Sequence, residues 1–178
     1  MKLLFISLGC DKNLVDSEEM LGMLAADGHE IVDDEDEAEV IIVNTCCFIG
    51  DAKEESVNTI LEMAEKKKAG TCKVLIVTGC MAQRYKKEIS EEIPEVDAIL
   101  GTTSYGDISK AVKEAQAGRH FEEYKSIDFL PDISGKRMLT TGGHFAYLKI
   151  AEGCDKHCTY CIIPRLRAAT EACLWSSS

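Results

Sequence analysis

Three short apolar runs constrain the fold of this chain more than any other feature. They lie at Leu3–Leu8, Val40–Val43 and Val74–Val77, and each is followed by a polar turn and a stretch of helical periodicity. Continuous apolar runs of this length are typical of strands buried on both faces of a parallel sheet. Alternation of strands and helices therefore predicts an α/β fold, an open and mainly parallel sheet with helices on both faces.

The remaining helices and strands are predicted from hydrophobic periodicity and from glycines that end helices. Apolar residues at helical spacing run from Leu14 to Leu24 and from Val57 to Ala64. Two more helices are expected over residues 82–92 and 105–117, and two shorter strands over residues 30–32 and 97–100. Gly118 closes the last of these helices, so we assign residues 1–118 to a first domain.

The pattern changes after this domain. Residues 119–143 have no persistent periodicity and contain one proline and three glycines, which is typical of a linker. Residues 144–167 are expected to begin a second domain, with a strand at Phe145–Ile150. Residues 168–178 have no core pattern and are interpreted as an unpatterned tail.

The composition excludes several classes of protein. The formal net charge is −11. This charge argues against a nucleic-acid-binding surface on this chain, because phosphate contacts need Lys and Arg, and it suits a basic protein partner better. No apolar run approaches the roughly 20 residues that a membrane span needs. The apolar stretch Leu3–Leu8 is also shorter than the roughly 7–15 residues of a signal peptide, although Leu8-Gly9-Cys10 resembles a lipoprotein cleavage site. We therefore expect a cytoplasmic protein, in which spaced cysteines indicate metal or redox chemistry more often than disulfides.

One group of the nine cysteines is a compact motif. Cys154, Cys158 and Cys161 form a CxxxCxxC, with Tyr160 before the last cysteine. Soft thiolates at this spacing suit zinc or an iron–sulfur cluster. Structural zinc sites use four ligands, commonly in paired CxxC units, whereas three cysteines leave one iron of a 4Fe–4S cluster open to a small molecule.

A second group is dispersed in sequence but equivalent in position. Cys10, Cys46 and Cys80 each follow one of the three apolar strands. Parallel strands end at one edge of a sheet, where open α/β folds bind ligands, so these thiolates are predicted to form a second cluster site. Three buried structural cysteines are the alternative.

The other cysteines and the histidines receive no such role. We assign Cys47 a structural role beside Cys46 and treat Cys72, which precedes a strand, as non-ligating. Cys173 lies in the tail and receives no role. The four scattered histidines are assigned no catalytic role: His29, His120, His144 and His157.

Together, the dispersed cysteines followed by CxxxCxxC resemble the radical S-adenosylmethionine (SAM) methylthiotransferases over residues 1 to about 167. The local motifs are LGCDKNLVDSE at Leu8–Glu18, NTCCFI at Asn44–Ile49, TGCMAQRY at Thr78–Tyr85 and GCDKHCTYCIIPRLR at Gly153–Arg167. The resemblance implies an auxiliary-cluster domain followed by the first strand and cluster loop of a TIM-like radical SAM barrel. It also implies two 4Fe–4S clusters, one at each cysteine triad, with SAM bound at the cluster of Cys154, Cys158 and Cys161.

The stretch Asp11–Ser17 and the run Pro164–Arg167 are similar to the ribosomal-protein branch of this family. That branch implies methylthiolation of an aspartate Cβ in the twelfth small-subunit ribosomal protein, with an electron donor such as flavodoxin or ferredoxin. In the implied reaction, one SAM methylates sulfur held at the auxiliary cluster and a second yields the radical that abstracts hydrogen from the substrate carbon. Nucleic acid is not expected as the direct substrate.

The chain departs from the family pattern at Ala168, where the family has a glycine and then the rest of the barrel. We therefore expect this chain to be too short to be active alone. Three alternatives stay open. One is a tRNA adenosine methylthiotransferase, another is a non-catalytic iron–sulfur or zinc-binding module, and the third is a flavodoxin-like electron carrier, for which the loop after the first strand is a poor phosphate site.

Overall fold

The computed structural model describes residues 1–129, 137–167 and 170–172. Its main element is a six-stranded, wholly parallel sheet in the order β2-β1-β3-β4-β5-β6. The strands are β1 (Lys2–Ser7), β2 (Glu30–Ile31), β3 (Val40–Thr45), β4 (Val74–Gly79), β5 (Ala98–Leu100) and β6 (Phe121–Glu123). The three apolar runs are therefore the adjacent strands β1, β3 and β4, as an α/β fold requires.

Helices cover both faces of the sheet. The helices α1 (Asp11–Ala26) and α5 (Ile108–Gln116) pack on one face, and α2 (Gly50–Lys68), α3 (Cys80–Arg84) and α4 (Lys86–Glu92) pack on the other. Successive side chains of a strand point to opposite faces, so each central strand needs apolar residues at every position. In β3, Val40 and Ile42 face α1 and α5, whereas Ile41 and Val43 face α2. The predicted fold class is confirmed.

The chain reverses its direction of travel across the sheet between β1 and β3. These strands are neighbours, yet the helices that follow them, α1 and α2, lie on opposite faces. Ligands of open α/β sheets bind in the crevice that such a reversal creates at the carboxyl ends of the strands. The topology thus points to the loops after β1 and β3.

Several predicted boundaries differ from the structure. The single helix expected over residues 82–92 is two helices that meet at Tyr85, and a short 3₁₀ helix (Tyr105–Asp107) precedes α5. The sheet also extends to β6, inside the segment assigned to a linker. Part of that segment, residues 130–136, lies outside the described residues, as does Cys173.

The strand predicted at Phe145–Ile150 is wrong. Residues 145–150 have no regular structure, and a two-residue strand, β7 (Ala151–Glu152), instead pairs antiparallel with β8 (Glu171–Ala172), which lies in the segment interpreted as a tail. A strand needs a hydrogen-bonded neighbour, and within the described residues none runs alongside this segment. Its large apolar side chains are exposed: Phe145, Tyr147, Leu148 and Ile150. A single-turn helix, α6 (Ile163–Leu166), follows the cluster loop.

None of the helices in the described part of the chain combines the length and the apolar character that crossing a membrane would require.

A glycine at the end of β4 is expected to be essential for stability. Gly79 has φ +94°, and an added Cβ would lie 2.3 Å from Asn44 Oδ1 and 2.6 Å from the Thr45 carbonyl oxygen. Gly79→Ala should therefore lower the free energy of unfolding by more than the roughly 1–2 kcal/mol that a left-handed backbone alone costs. Urea denaturation of the purified chain measures this loss.

Gly118→Ala is the matched control, because Gly118 also has positive φ (+71°) but has open space around its Cα. It should show the backbone cost only. Equal losses in the two variants would contradict the steric argument.

Candidate metal centre

Cys10, Cys46 and Cys80 line one cavity of about 920 Å³ at the carboxyl edge of the sheet. They follow β1, β3 and β4 in turn, so the predicted convergence on one edge is a product of the parallel topology. Cys10 is exposed, whereas Cys46 and Cys80 are buried. Their role as ligands stays a prediction.

A glycine allows the first two of these loops to meet. Gly9 has φ +103°, and a Cβ there would lie 2.7 Å from Cys46 Cβ and 3.0 Å from Cys46 Sγ. Ser56 on α2 holds the other side of Cys46, since its hydroxyl accepts from Cys46 N (3.0 Å) and is also 2.9 Å from Cys46 O. The backbone of Cys46 is therefore positioned by both neighbouring elements.

The buried amide of Asn13 joins the strand ends around the cavity. Its Nδ2 donates to the carbonyl oxygens of Leu8 and Thr45, both at 2.9 Å. Its Oδ1 accepts from Arg167 Nη2 at 2.7 Å and lies 3.9 Å from Cys80 Sγ. One side chain thus contacts the loop after β1, the end of β3, the start of α3 and the segment that follows the cluster loop.

Cys47 and Cys72, the two cysteines to which we assign no ligand role, are both buried. Burial raises the pKa of the Cys47 thiol, which donates to the Cys80 carbonyl oxygen at 3.3 Å. Cys72 precedes β4, at the opposite edge of the sheet, and its thiol contacts the Val74 carbonyl oxygen at 3.1 Å. Burial likewise raises the pKa of Cys80, to about 11, against the opposing effect of Arg167.

The CxxxCxxC loop lies beside this site. Cys158 and Cys161 line a second cavity of about 400 Å³, together with His157, whereas Cys154 does not line it. Phe48 lines both cavities, so the two are neighbours. Among the described residues, no three Cys, His, Asp or Glu side chains are drawn together as a set that could hold a metal ion. The structure brings Cys10, Cys46 and Cys80 to one cavity and only Cys158 and Cys161 to the other, and it closes neither set into a ligand cluster.

A buried charge cluster attaches residues 137–167, called here the second segment, to the first domain. Its members are Asp16, Lys149, Glu152 and Arg167. Lys149 Nζ lies 2.5 Å from Asp16 Oδ1 and 3.1 Å from Glu152 Oε2. Arg167 Nη2 lies 2.8 Å from Asp16 Oδ2, and its Nη1 lies 3.2 Å from Glu152 Oε1. Every member is almost fully buried, and the two acids compensate the two cations.

The sequence analysis missed this cluster. Its members are separated by up to about 150 residues, and nothing in the local pattern marks them as buried. The available signal was the motif LGCDKNLVDSE, which contains Asn13, Asp16 and Glu18 on α1. Glu18 is fully buried and accepts from Arg137 Nε (2.7 Å) and Thr140 N (2.6 Å), so α1 anchors the second segment at two points.

Residues 2–101 match the sequence model of a protein family described as "Uncharacterized protein family UPF0004". These residues include the sheet up to β5 and all three cysteines of the larger cavity. The chain belongs to this family. Its curated relatives are named "Ribosomal protein uS12 methylthiotransferase RimO". One from Lachnoclostridium phytofermentans is 63% identical over 94% of this chain, and one from Clostridioides difficile is 52% identical over 94% of it. The resemblance to the methylthiotransferases, and to their ribosomal-protein branch, is confirmed.

The chain spans 38% of the length of each of these two relatives. A third, from Solibacter usitatus, is 52% identical over 95% of this chain, which covers 36% of it.

The charge cluster predicts a specific response to acid. Burial opposes ionisation of Glu152, but the charges of Arg167 and Lys149 overcome it and hold its pKa at about 2. Because this pKa is depressed in the folded state, ionised Glu152 stabilises the fold above its ordinary value near 4.5. That stabilisation is lost as the pH falls from about 4.5 to about 2.

Glu152→Gln should therefore be less stable than the parent chain at pH 6, and the difference should shrink as the pH falls through this window. Urea titrations at a series of pH values measure the difference. Glu91→Gln, which removes an exposed carboxylate on α4, is the matched control and should leave the pH profile unchanged. A constant difference for Glu152→Gln at all pH values would contradict the ion-pair argument.

Proposed function

We propose that this chain is the cluster-binding part of a methylthiotransferase that modifies an aspartate Cβ of ribosomal protein uS12, with two 4Fe–4S clusters and SAM. One observation carries the proposal: three cysteines from three strand ends line one cavity, and that cavity adjoins a second one lined by the CxxxCxxC loop. The names of the relatives support the reaction and its substrate.

The residues at the larger cavity fit an auxiliary iron–sulfur cluster. The donor set is three soft thiols, which iron–sulfur clusters prefer. The cavity of about 920 Å³ is far larger than the space of one water molecule, roughly 30 Å³, so it has room for a polynuclear group. Because residue 9 is a glycine, no side chain at that position occupies the space next to the Cys46 thiol.

Each part of the chain then has a defined task. Cys10, Cys46 and Cys80 hold the auxiliary cluster, and Cys154, Cys158 and Cys161 hold the cluster that binds SAM. When bound, these groups supply radical chemistry at an unactivated carbon, which no acid–base side chain provides. Phe48, which lines both cavities, places an apolar side chain beside both sites.

The acceptor is proposed to be a protein rather than tRNA. The formal net charge of −11 suits a basic ribosomal protein and disfavours a polyanion. The relatives carry uS12 in their names, which points in the same direction. We further propose a cytoplasmic protein that receives electrons from a flavodoxin or ferredoxin.

Two separate triads predict two clusters, which is about eight irons per chain after anaerobic reconstitution. Replacing Cys10, Cys46 and Cys80 together with Ala should remove about half of the iron and of the acid-labile sulfide. Colorimetric iron and sulfide assays measure both. Complete loss, or no loss, would contradict the grouping, and zinc without sulfide would favour a structural metal module.

Cys47→Ser and Cys72→Ser are the controls for this experiment, because both thiols are buried against backbone carbonyl groups. Neither substitution should change the iron content. If Cys47→Ser removes iron and Cys46→Ser does not, the ligand after β3 is the neighbouring cysteine.

The acceptor is tested with a chimera in which residues 1–167 of this chain are joined to the remainder of the Lachnoclostridium phytofermentans relative. Incubated anaerobically with SAM, a reductant, uS12 and tRNA, the chimera should add the mass of a methylthio group to the uS12 aspartate only. Mass spectrometry locates the modification, and the complete relative is the positive control. The chain by itself should add none, since the described residues surround the second cavity with few elements beyond the cluster loop.

Modification of tRNA by the chimera would overturn the proposed acceptor. An inactive chimera that still holds both clusters would contradict the proposed role of residues 1–167.

A further inference from the structure

We propose that Arg167 is a positioning residue for the auxiliary cluster: its guanidinium, fixed at the Cys80 wall of the cavity, stabilises the reduced cluster and so raises its reduction potential. The inference rests on the auxiliary cluster proposed above. It concerns a residue outside both cysteine triads, contributed by the second segment to a site in the first domain.

The guanidinium is held in one orientation. Arg167 is 2% exposed, and its Nη2 donates to Asn13 Oδ1 (2.7 Å) and Asp16 Oδ2 (2.8 Å) while its Nη1 donates to Glu152 Oε1 (3.2 Å). A planar group with donors bound on two sides cannot rotate without breaking these contacts. Burial of such a cation is tolerated because both acids are paired with it.

The same geometry brings Arg167 to the cysteine. Arg167 Nη2 and Cys80 Sγ both contact Asn13 Oδ1, and both residues line the large cavity. Asp16 accepts from the same Nη2 and Glu152 accepts from Nη1, but neither acid is among the residues that line this cavity. The cavity wall at Cys80 therefore carries a buried cation, whereas the two acids that line the cavity, Asp51 and Glu55, are exposed residues of α2.

A positive wall at this position has a definite consequence. Reduction adds one negative charge to the cluster and its thiolates, and a nearby buried cation stabilises the more negative state. Solvent screens the charge of Arg167 weakly, because this residue is almost fully buried. Lys12 also lines the cavity, but its side chain is 35% exposed, so its charge is better screened. Lys149 is buried but is absent from the cavity lining.

The test uses the full chain carrying Cys154→Ala, Cys158→Ala and Cys161→Ala, so that only the auxiliary cluster is present after anaerobic reconstitution with iron and sulfide. Electron paramagnetic resonance during a redox titration gives the midpoint potential of that cluster. Adding Arg167→Gln should shift the midpoint to a more negative value. Arg167→Lys keeps the positive charge, so its midpoint potential should stay close to that of the parent chain.

Arg165→Gln is the matched control. Arg165 lies in α6, two residues before Arg167, but it is exposed and lines the second cavity instead of the first. Its removal should leave the midpoint unchanged. An equal shift for Arg165→Gln and Arg167→Gln would overturn the assignment, because the effect would then be one of overall charge.

Arg167→Gln leaves Asp16 with one cation fewer in a buried site and could prevent folding. The double variant Asp16→Asn, Arg167→Gln removes both charges of the pair and avoids this problem. It should still show the negative shift, since the group next to Cys80 is the guanidinium. Bound iron with an unchanged midpoint in the substituted chains overturns this inference alone, whereas failure of the triple-cysteine background to bind iron overturns the auxiliary cluster and the inference together.

Discussion

The site at the edge of the sheet depends on the hydrogen bonds of one buried amide, Asn13. Its nitrogen closes the ends of β1 and β3 onto each other, and its oxygen accepts from Arg167 beside Cys80. Each strand end carries a loop with a cysteine, so these bonds set the width of the cavity between them. The packed sheet is rigid, and the hydrogen bonds of Asn13 fix the loops at its edge relative to the sheet.

A second constraint is the charge cluster that α1 presents to the later segment. Removing one partner of a buried ion pair typically costs about 3–5 kcal/mol, because the other charge stays unpaired. Asp16 and Glu18, two residues apart on the buried side of α1, therefore specify where residues 137–167 lie. That placement brings the loop with Cys158 and Cys161 next to the cavity of Cys10, Cys46 and Cys80. Proximity of the two proposed cluster sites is thus a consequence of ionic packing on one helix.

Much of this architecture was predictable from local pattern. The runs at Leu3, Val40 and Val74 are apolar at every position because both sheet faces are covered, and that property alone predicts adjacent parallel strands. The strand at Phe145–Ile150 was predicted from a different pattern, alternation of side chains, and is wrong. Alternation reports which side chains prefer burial, but a strand also needs a partner, and the described residues supply none there.

The sequence by itself determined that Cys10, Cys46 and Cys80 share one edge of a sheet, because the carboxyl ends of parallel strands lie at the same edge. It also determined the spacing of the CxxxCxxC loop and the family to which the chain belongs. Only the tertiary structure decided that Asn13, Asp16, Glu152 and Arg167 meet in the interior. Hydrophobic periodicity records contacts along one element, whereas the pairing of buried charges depends on how distant elements pack against each other, which no local pattern contains.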